Sequence, residues 1–151
     1  MHYRYRGMLL ALAVFLSSSC LDFDSSFDEV ARVTSPTSKF DAVLAETNGG
    51  ATTSFGYEVF LVPKGEKIAR GKGVASFYGA VRSEHAYGVN LKWESSHSLV
   101  IEYLEARGAT LSQQKITIND EVVSVAMRSG VSDPSAPPGG MLYNLEKNQR
   151  R

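Results

Sequence analysis

Cysteine occurs once in the chain, at position 20. No intramolecular disulfide can form, so the fold must be held by packing and hydrogen bonding alone. Long apolar runs are missing too. Residues 8–16 are uninterruptedly apolar, but at about 1.5 Å per helical residue they cover only about half of a ~30 Å hydrocarbon core, which disfavours a stable transmembrane helix. Neither sign of charge is in excess, with 16 Lys and Arg against 16 Asp and Glu. Removing residues 1–19 takes away Arg4 and Arg6 and no acid, so the remainder is slightly acidic and has no basic patch to track phosphates. Nucleic acid is therefore not expected as a partner. Histidine is scarce, and His85 and His97 have no metal-ligand spacing with each other or with Cys20, so neither a metal nor another cofactor is expected. A chain of 151 residues also leaves no room for two independent cores.

What is present begins with a leader. Residues 1–20 read MHYRYRGMLLALAVFLSSSC, a short stretch carrying Arg4 and Arg6, an apolar segment, then small residues. This is the layout of an export signal over residues 1–19. The segment LSSSC resembles the lipobox of bacterial lipoproteins, in which the cysteine is acylated and becomes the new N-terminus. The resemblance implies lipidation of Cys20 and a membrane partner reached through that lipid. Several acyl chains, each gaining about 0.8 kcal/mol per buried CH₂, anchor durably where one is marginal. The lipobox usually has an aliphatic residue three positions before the cysteine; here Ser17 stands there and Leu16 one position further back. Leu21, standing where an aspartate would favour inner-membrane retention, points to the outer membrane, facing the periplasm. The alternative is ordinary cleavage near Ser19 and a soluble periplasmic protein.

Residues 20–35, rich in Ser, Thr and Asp, read as a tether. From residue 36 to 128 the chain breaks into short apolar runs separated by Gly, Asn, Asp and Ser clusters, the pattern of strands and turns. Strands are expected at residues 40–46, 55–62, 73–81, 89–93, 99–104, 115–118 and 122–127. The alternation of Val89, Leu91 and Trp93 with Asn90, Lys92 and Glu94 is the clearest, with the period of two that buries one face of a sheet. Asn119-Asp120 suits a tight hairpin, because both residue types tolerate positive φ. About seven strands without helical patterning predict a mainly β domain, a single antiparallel sandwich or curled meander. Residues 129–151, with Pro134, Pro137, Pro138, Gly139 and Gly140, read as a tail.

The segments SPTSKFDAVLAE and GGATTSFGYEVFLVP together resemble a pattern in small exported bacterial proteins and lipoproteins of unknown function, in which a stretch like SPDGKYDAV precedes Gly-Ala-Thr-Thr and an apolar strand. The likeness covers residues 35–63, with Thr37 and Ser38 in place of the usual Asp-Gly. It implies a β-rich envelope protein and brings no active site.

The most distinctive loop holds Asn48, Gly49, Gly50, Thr52 and Thr53, whose consecutive glycines could aim backbone N–H groups at a ligand or partner. It lacks the lysine and the following helix of a phosphate-binding loop, and reads first as a strand connection. No catalytic residue stands out. A hydrolytic triad can be written with His85 or His97 beside Ser76, Ser96, Asp41 or Glu84, but no nucleophile-elbow sequence supports it. Tyr57, Phe60, Phe77, Tyr78, Tyr87, Trp93 and Tyr103 could line a cleft, though aromatics at alternate strand positions usually fill a sheet core. The expected function is that of a lipid-anchored, non-enzymatic envelope module that binds another envelope protein or an envelope component; the alternative is a small periplasmic hydrolase using His85 or His97.

Overall fold

A computed structural model of the protein describes residues 25–50, 53–83 and 85–133. The leader and Cys20 lie outside the described residues, as do Thr52 and the tail beyond residue 133. All regular structure among them is β, in eleven strands: β1 (Ser26–Thr34), β2 (Phe40–Asn48), β3 (Gly56–Pro63), β4 (Ala75–Tyr78), β5 (Arg82–Ser83), β6 (Ala86–Tyr87), β7 (Asn90–Ser95), β8 (Ser98–Glu102), β9 (Gly108–Leu111), β10 (Lys115–Ile118) and β11 (Glu121–Arg128). One sheet has the order β1-β2-β3-β4-β9 and is antiparallel throughout; the other has the order β10-β11-β8-β7; β5 and β6 form a small hairpin.

The sheets face each other across one core. Phe40, Ala42 and Leu44 of β2, Tyr57, Val59 and Leu61 of β3 and Ala75 and Phe77 of β4 meet Leu99, Ile101, Val123 and Val125 of the second sheet. Each is a period-two set, and burying each large side chain contributes roughly 1.5–3 kcal/mol. β2 is buried on both faces. Val43 and Ala45 turn outward and join Phe60, Phe27 and Ile68 in a second, smaller cluster, over which the β3–β4 connection folds. Arg70 from that connection stacks on Phe27 at 5.0 Å and donates to Ser25 Oγ and to the Ser25 carbonyl, at 2.6 and 2.7 Å.

Three expectations need correction. Residues 26–34 are not tether: β1 pairs with β2 along its length, from Ser26↔Asn48 to Thr34↔Asp41. A bulge between Glu29 and Ala31 breaks the alternation and turns Val30 into the main core. Of the two forms expected the domain is the sandwich, but its pairing is not antiparallel throughout. After β8 the chain crosses to the first sheet as β9 and returns through the β10–β11 hairpin, so β11 lies parallel to β8. Parallel neighbours need such a crossover, and here the opposite sheet supplies it. Residues 129–133 are also part of the domain, since Gly130 N–H donates to the Leu104 carbonyl, Val131 N–H to that of Tyr103 and Asp133 N–H to that of His85.

Local expectations about turns hold where backbone geometry decides them. Asn119 and Asp120 both have positive φ, 49° and 65°, at the β10–β11 turn. Val89 is buried and Leu91 and Trp93 are half-buried against the core, whereas Lys92 and Glu94 are exposed. Trp93 Nε1 donates to the Val33 carbonyl at 2.9 Å, tying edge strand β7 to edge strand β1 and closing that side of the sandwich.

Candidate functional site

The loop singled out in the sequence stands at the end of the sandwich where β2 gives way to β3. Its turn is built from its own side chains. Asn48 Oδ1 accepts the Gly50 N–H at 2.9 Å, and Thr53 returns both its N–H and its hydroxyl to the Gly50 carbonyl, at 3.2 and 3.1 Å. Gly50 has φ 101°, a conformation that strains any side-chain-bearing residue. Gly49 is not at positive φ, but a Cβ there would sit 2.9 Å from Thr53 Oγ1. The two glycines thus serve the loop for different reasons, one conformational and one steric.

Neighbouring elements fasten the loop from both sides. Ser54 N–H donates to the Tyr78 hydroxyl at 3.3 Å, Gly79 N–H to the Phe55 carbonyl at 2.9 Å, and Arg107 Nη1 to Ser54 Oγ at 3.1 Å. Tyr78 is 46% exposed on the outer face of β4. The Ser54 N–H, with Arg107 close by, lowers the pKa of its phenol below the ordinary value.

Beneath the loop lies a polar cluster that sequence reasoning did not anticipate. Glu46, buried at the end of β2, accepts Arg82 Nη1 at 2.7 Å, and the same nitrogen reaches the Tyr57 hydroxyl at 3.3 Å. The Arg82 guanidinium lies over the Phe55 ring at 3.9 Å, within the range of a cation–π contact. Burial pushes the Tyr57 phenol up to about 12, although Arg82 pulls the other way, so it stays a neutral donor at physiological pH. Gly88, at φ 92°, lets the Tyr57 hydroxyl in: a Cβ there would stand 3.0 Å from that oxygen.

Two open clefts flank the loop and share Thr53 and Ser54 as a wall. The larger, about 590 Å³, is lined by Phe55, Gly79, Arg82, Glu105 and Arg107 with those two residues. The smaller, about 360 Å³, is lined by Ser25, Glu58, Arg70 and Tyr78 among others. Among the described residues, Arg82 spends only Nη1 on hydrogen bonds, with none at Nε or Nη2, and Arg107 has no ion pair. Hydroxyls, an aromatic ring and two guanidinium groups make a surface suited to binding an anionic or polar group.

Of the residues proposed for hydrolysis, Glu84 lies outside the described residues, and Asp41 is not brought to either histidine. His97 sits at the opposite end, its Nε2 2.6 Å from Glu121 Oε2 and its ring edge-on to Phe40 at 6.0 Å. Its hydrogen bonds to Ser95 and Ser124 run through its backbone. His85 is exposed in the β5–β6 turn. Asp41 serves neither histidine: its carboxylate accepts from Arg32 at 2.8 Å, Thr34 at 2.8 Å and Gly65 N–H at 2.9 Å. Among the described residues, no three His, Cys, Asp or Glu side chains cluster so as to hold a metal ion. Of the aromatic candidates, Tyr57 and Phe77 are core, Tyr103 packs edge-on to Phe77 at 5.1 Å, and Tyr78 borders a cleft with its ring exposed. Arg82, Arg107 and Phe55 carried no motif that could have marked them. Compared with known proteins, the chain matches no family model, no curated protein and no solved structure.

Proposed function

We propose that this is an exported bacterial envelope protein, held at a membrane surface by acyl chains on Cys20, whose β-sandwich acts as a non-enzymatic binding module through the end that carries the β2–β3 loop. The observation that supports the binding role is the pair of clefts around Thr53 and Ser54, the larger of which is lined by Arg82 and Arg107 with guanidinium nitrogens that no described group occupies. The rival, a small periplasmic hydrolase, has a His97–Glu121 pair but no serine hydroxyl hydrogen-bonded to the ring among the described residues. A base oriented by a carboxylate still needs a nucleophile in reach.

Two measurements test the proposal. Intact mass of the mature protein should show an N-terminal cysteine carrying lipid, and Cys20→Ser should release the domain from membranes; an unmodified chain that starts elsewhere removes the anchor. A photo-crosslinker placed at Thr53 in intact cells should capture an envelope component, while one at Asp120, in the β10–β11 turn, should not. Equal capture from both positions would remove the assignment of the binding end.

A further inference from the structure

β1 begins beside the smaller cleft. Ser25 leads directly into β1, whose first residue pairs with Asn48, so the chain enters the sandwich at the loop end. Arg70 fixes that entry point through Ser25 Oγ and the Ser25 carbonyl, and Ser25 itself lines the smaller cleft. From Cys20 to Ser25 there are five peptide links, which at about 3.5 Å each span at most about 17 Å. β1 has nine residues and, at about 3.3 Å per residue, carries the other end of the sandwich some 26 Å further away. A lipid on Cys20 therefore keeps the loop end near the bilayer in every orientation of the domain, and the opposite end only when the domain lies flat.

The charges at the loop end suit such a neighbour. Arg70 and Lys72 are exposed on the β3–β4 connection that passes the entry point. Among the carboxylates there, Glu46 is occupied by Arg82, Glu58 accepts the Gly71 N–H, Asp28 stands on β1 opposite Glu46, and Asp22 and Asp24 lie in the stretch that leads to Ser25; Glu105 is the acid that lines the larger cleft. Arginine pairs with phosphate through a planar fork of donors, and the stacking of Arg82 on Phe55 holds one such fork in place.

We infer that the larger cleft opens on the bilayer that holds Cys20 and takes the phosphate of an anionic phospholipid headgroup against Arg82 and Arg107, an inference that rests on the acylation of Cys20. The binding module then reads the surface it is anchored to, and the lipid anchor raises the local concentration of headgroups at the cleft.

The test uses the acylated mature protein in vesicles of phosphatidylcholine alone or with phosphatidylglycerol, carrying a fluorophore on Thr53→Cys or on Asp120→Cys. Quenching by aqueous iodide is the readout. In phosphatidylglycerol vesicles the label at residue 53 should be quenched at least threefold less than the label at residue 120. Arg107→Gln should abolish that difference without changing the melt, and Glu105→Gln should enlarge it. Equal quenching at the two positions in protein that floats with the vesicles overturns the inference and leaves the anchor standing. Protection of residue 53 by inorganic phosphate in phosphatidylcholine vesicles overturns it in favour of a soluble phosphate ligand. Mature protein isolated from cells that carries no acyl chain on Cys20 and does not float with the vesicles overturns the anchor and this inference together.

Discussion

The two ends of the sandwich use polar side chains in opposite ways. At the end formed by the β1–β2 turn, the polar groups satisfy one another. Asp41 gathers Arg32, Thr34 and Gly65, Arg32 also chelates Glu29, and Glu121 binds both Lys39 and His97. Burial alone would raise the pKa of Asp41, but the Gly65 N–H, Arg32 and Thr34 outweigh it and hold the carboxyl below its ordinary 3.8. At the loop end, by contrast, Arg82 and Arg107 keep donors that no described group uses, beside clefts open to solvent. A self-satisfied network rigidifies a fold, whereas leftover donors on a rigid frame are what a ligand needs.

The contrast can be broken by mutation. Asp41→Ala should have the largest effect, about 3 kcal/mol of stability in a urea melt, because it leaves Arg32 without its buried partner and strips the turn at Gly65. The wild-type protein should show the matching pH dependence. The folded-state pKa of Asp41 is depressed, so its stabilisation is present above about pH 4 and is lost as pH falls below it; a stability flat from pH 5 to 2.5 would contradict the network. Trp93→Ala should cost about 2–3 kcal/mol, below the range for a wholly buried aromatic because the ring is half-buried, with the Nε1–H bond to Val33 lost as well. A loss under about 1 kcal/mol would mean that the β7–β1 closure contributes little.

Smaller effects sharpen the comparison. Ser38 has φ 58° in the β1–β2 turn, where the resemblance noted in the sequence has glycine. Ser38→Gly should therefore stabilise by up to about 1 kcal/mol, as relief of left-handed strain exceeds the entropy glycine adds to the unfolded chain; a lower melting temperature would contradict that. Arg107→Gln, at the other end, should change stability by no more than about 0.5 kcal/mol while abolishing the vesicle-dependent protection at residue 53. If Arg107→Gln destabilised the protein as much as Asp41→Ala, the loop end would be scaffold too.

Much of the fold was legible because period-two runs survive translation into strands. β2, β3, β7, β8, β10 and β11 lie within a few residues of their expected positions. β1 was not legible, because its bulge at Val30 breaks the alternation and its outward residues are charged. β9, which reads GATL, opens with a glycine and holds a single large apolar residue, Leu111, so it carries no alternation to read. The candidate loop could be found from its paired glycines, but its partners could not. Arg82, Arg107, Phe55 and Ser25 are remote from one another in sequence and have ordinary local contexts.

The sequence by itself determined that the chain is mainly β, with a turn at Asn119-Asp120 and a core of alternating apolar residues, because these follow from local sterics and from the period of side chains along a strand. Tertiary structure decided the rest: that β11 returns parallel to β8, that Asp41 closes one end, and that two arginines from separate segments, Arg82 in β5 and Arg107 before β9, line one cleft beside the chain's point of entry. Those outcomes depend on how two sheets pack and on which side chains meet across distant segments. No local pattern encodes such meetings, because their energy comes from long-range contacts.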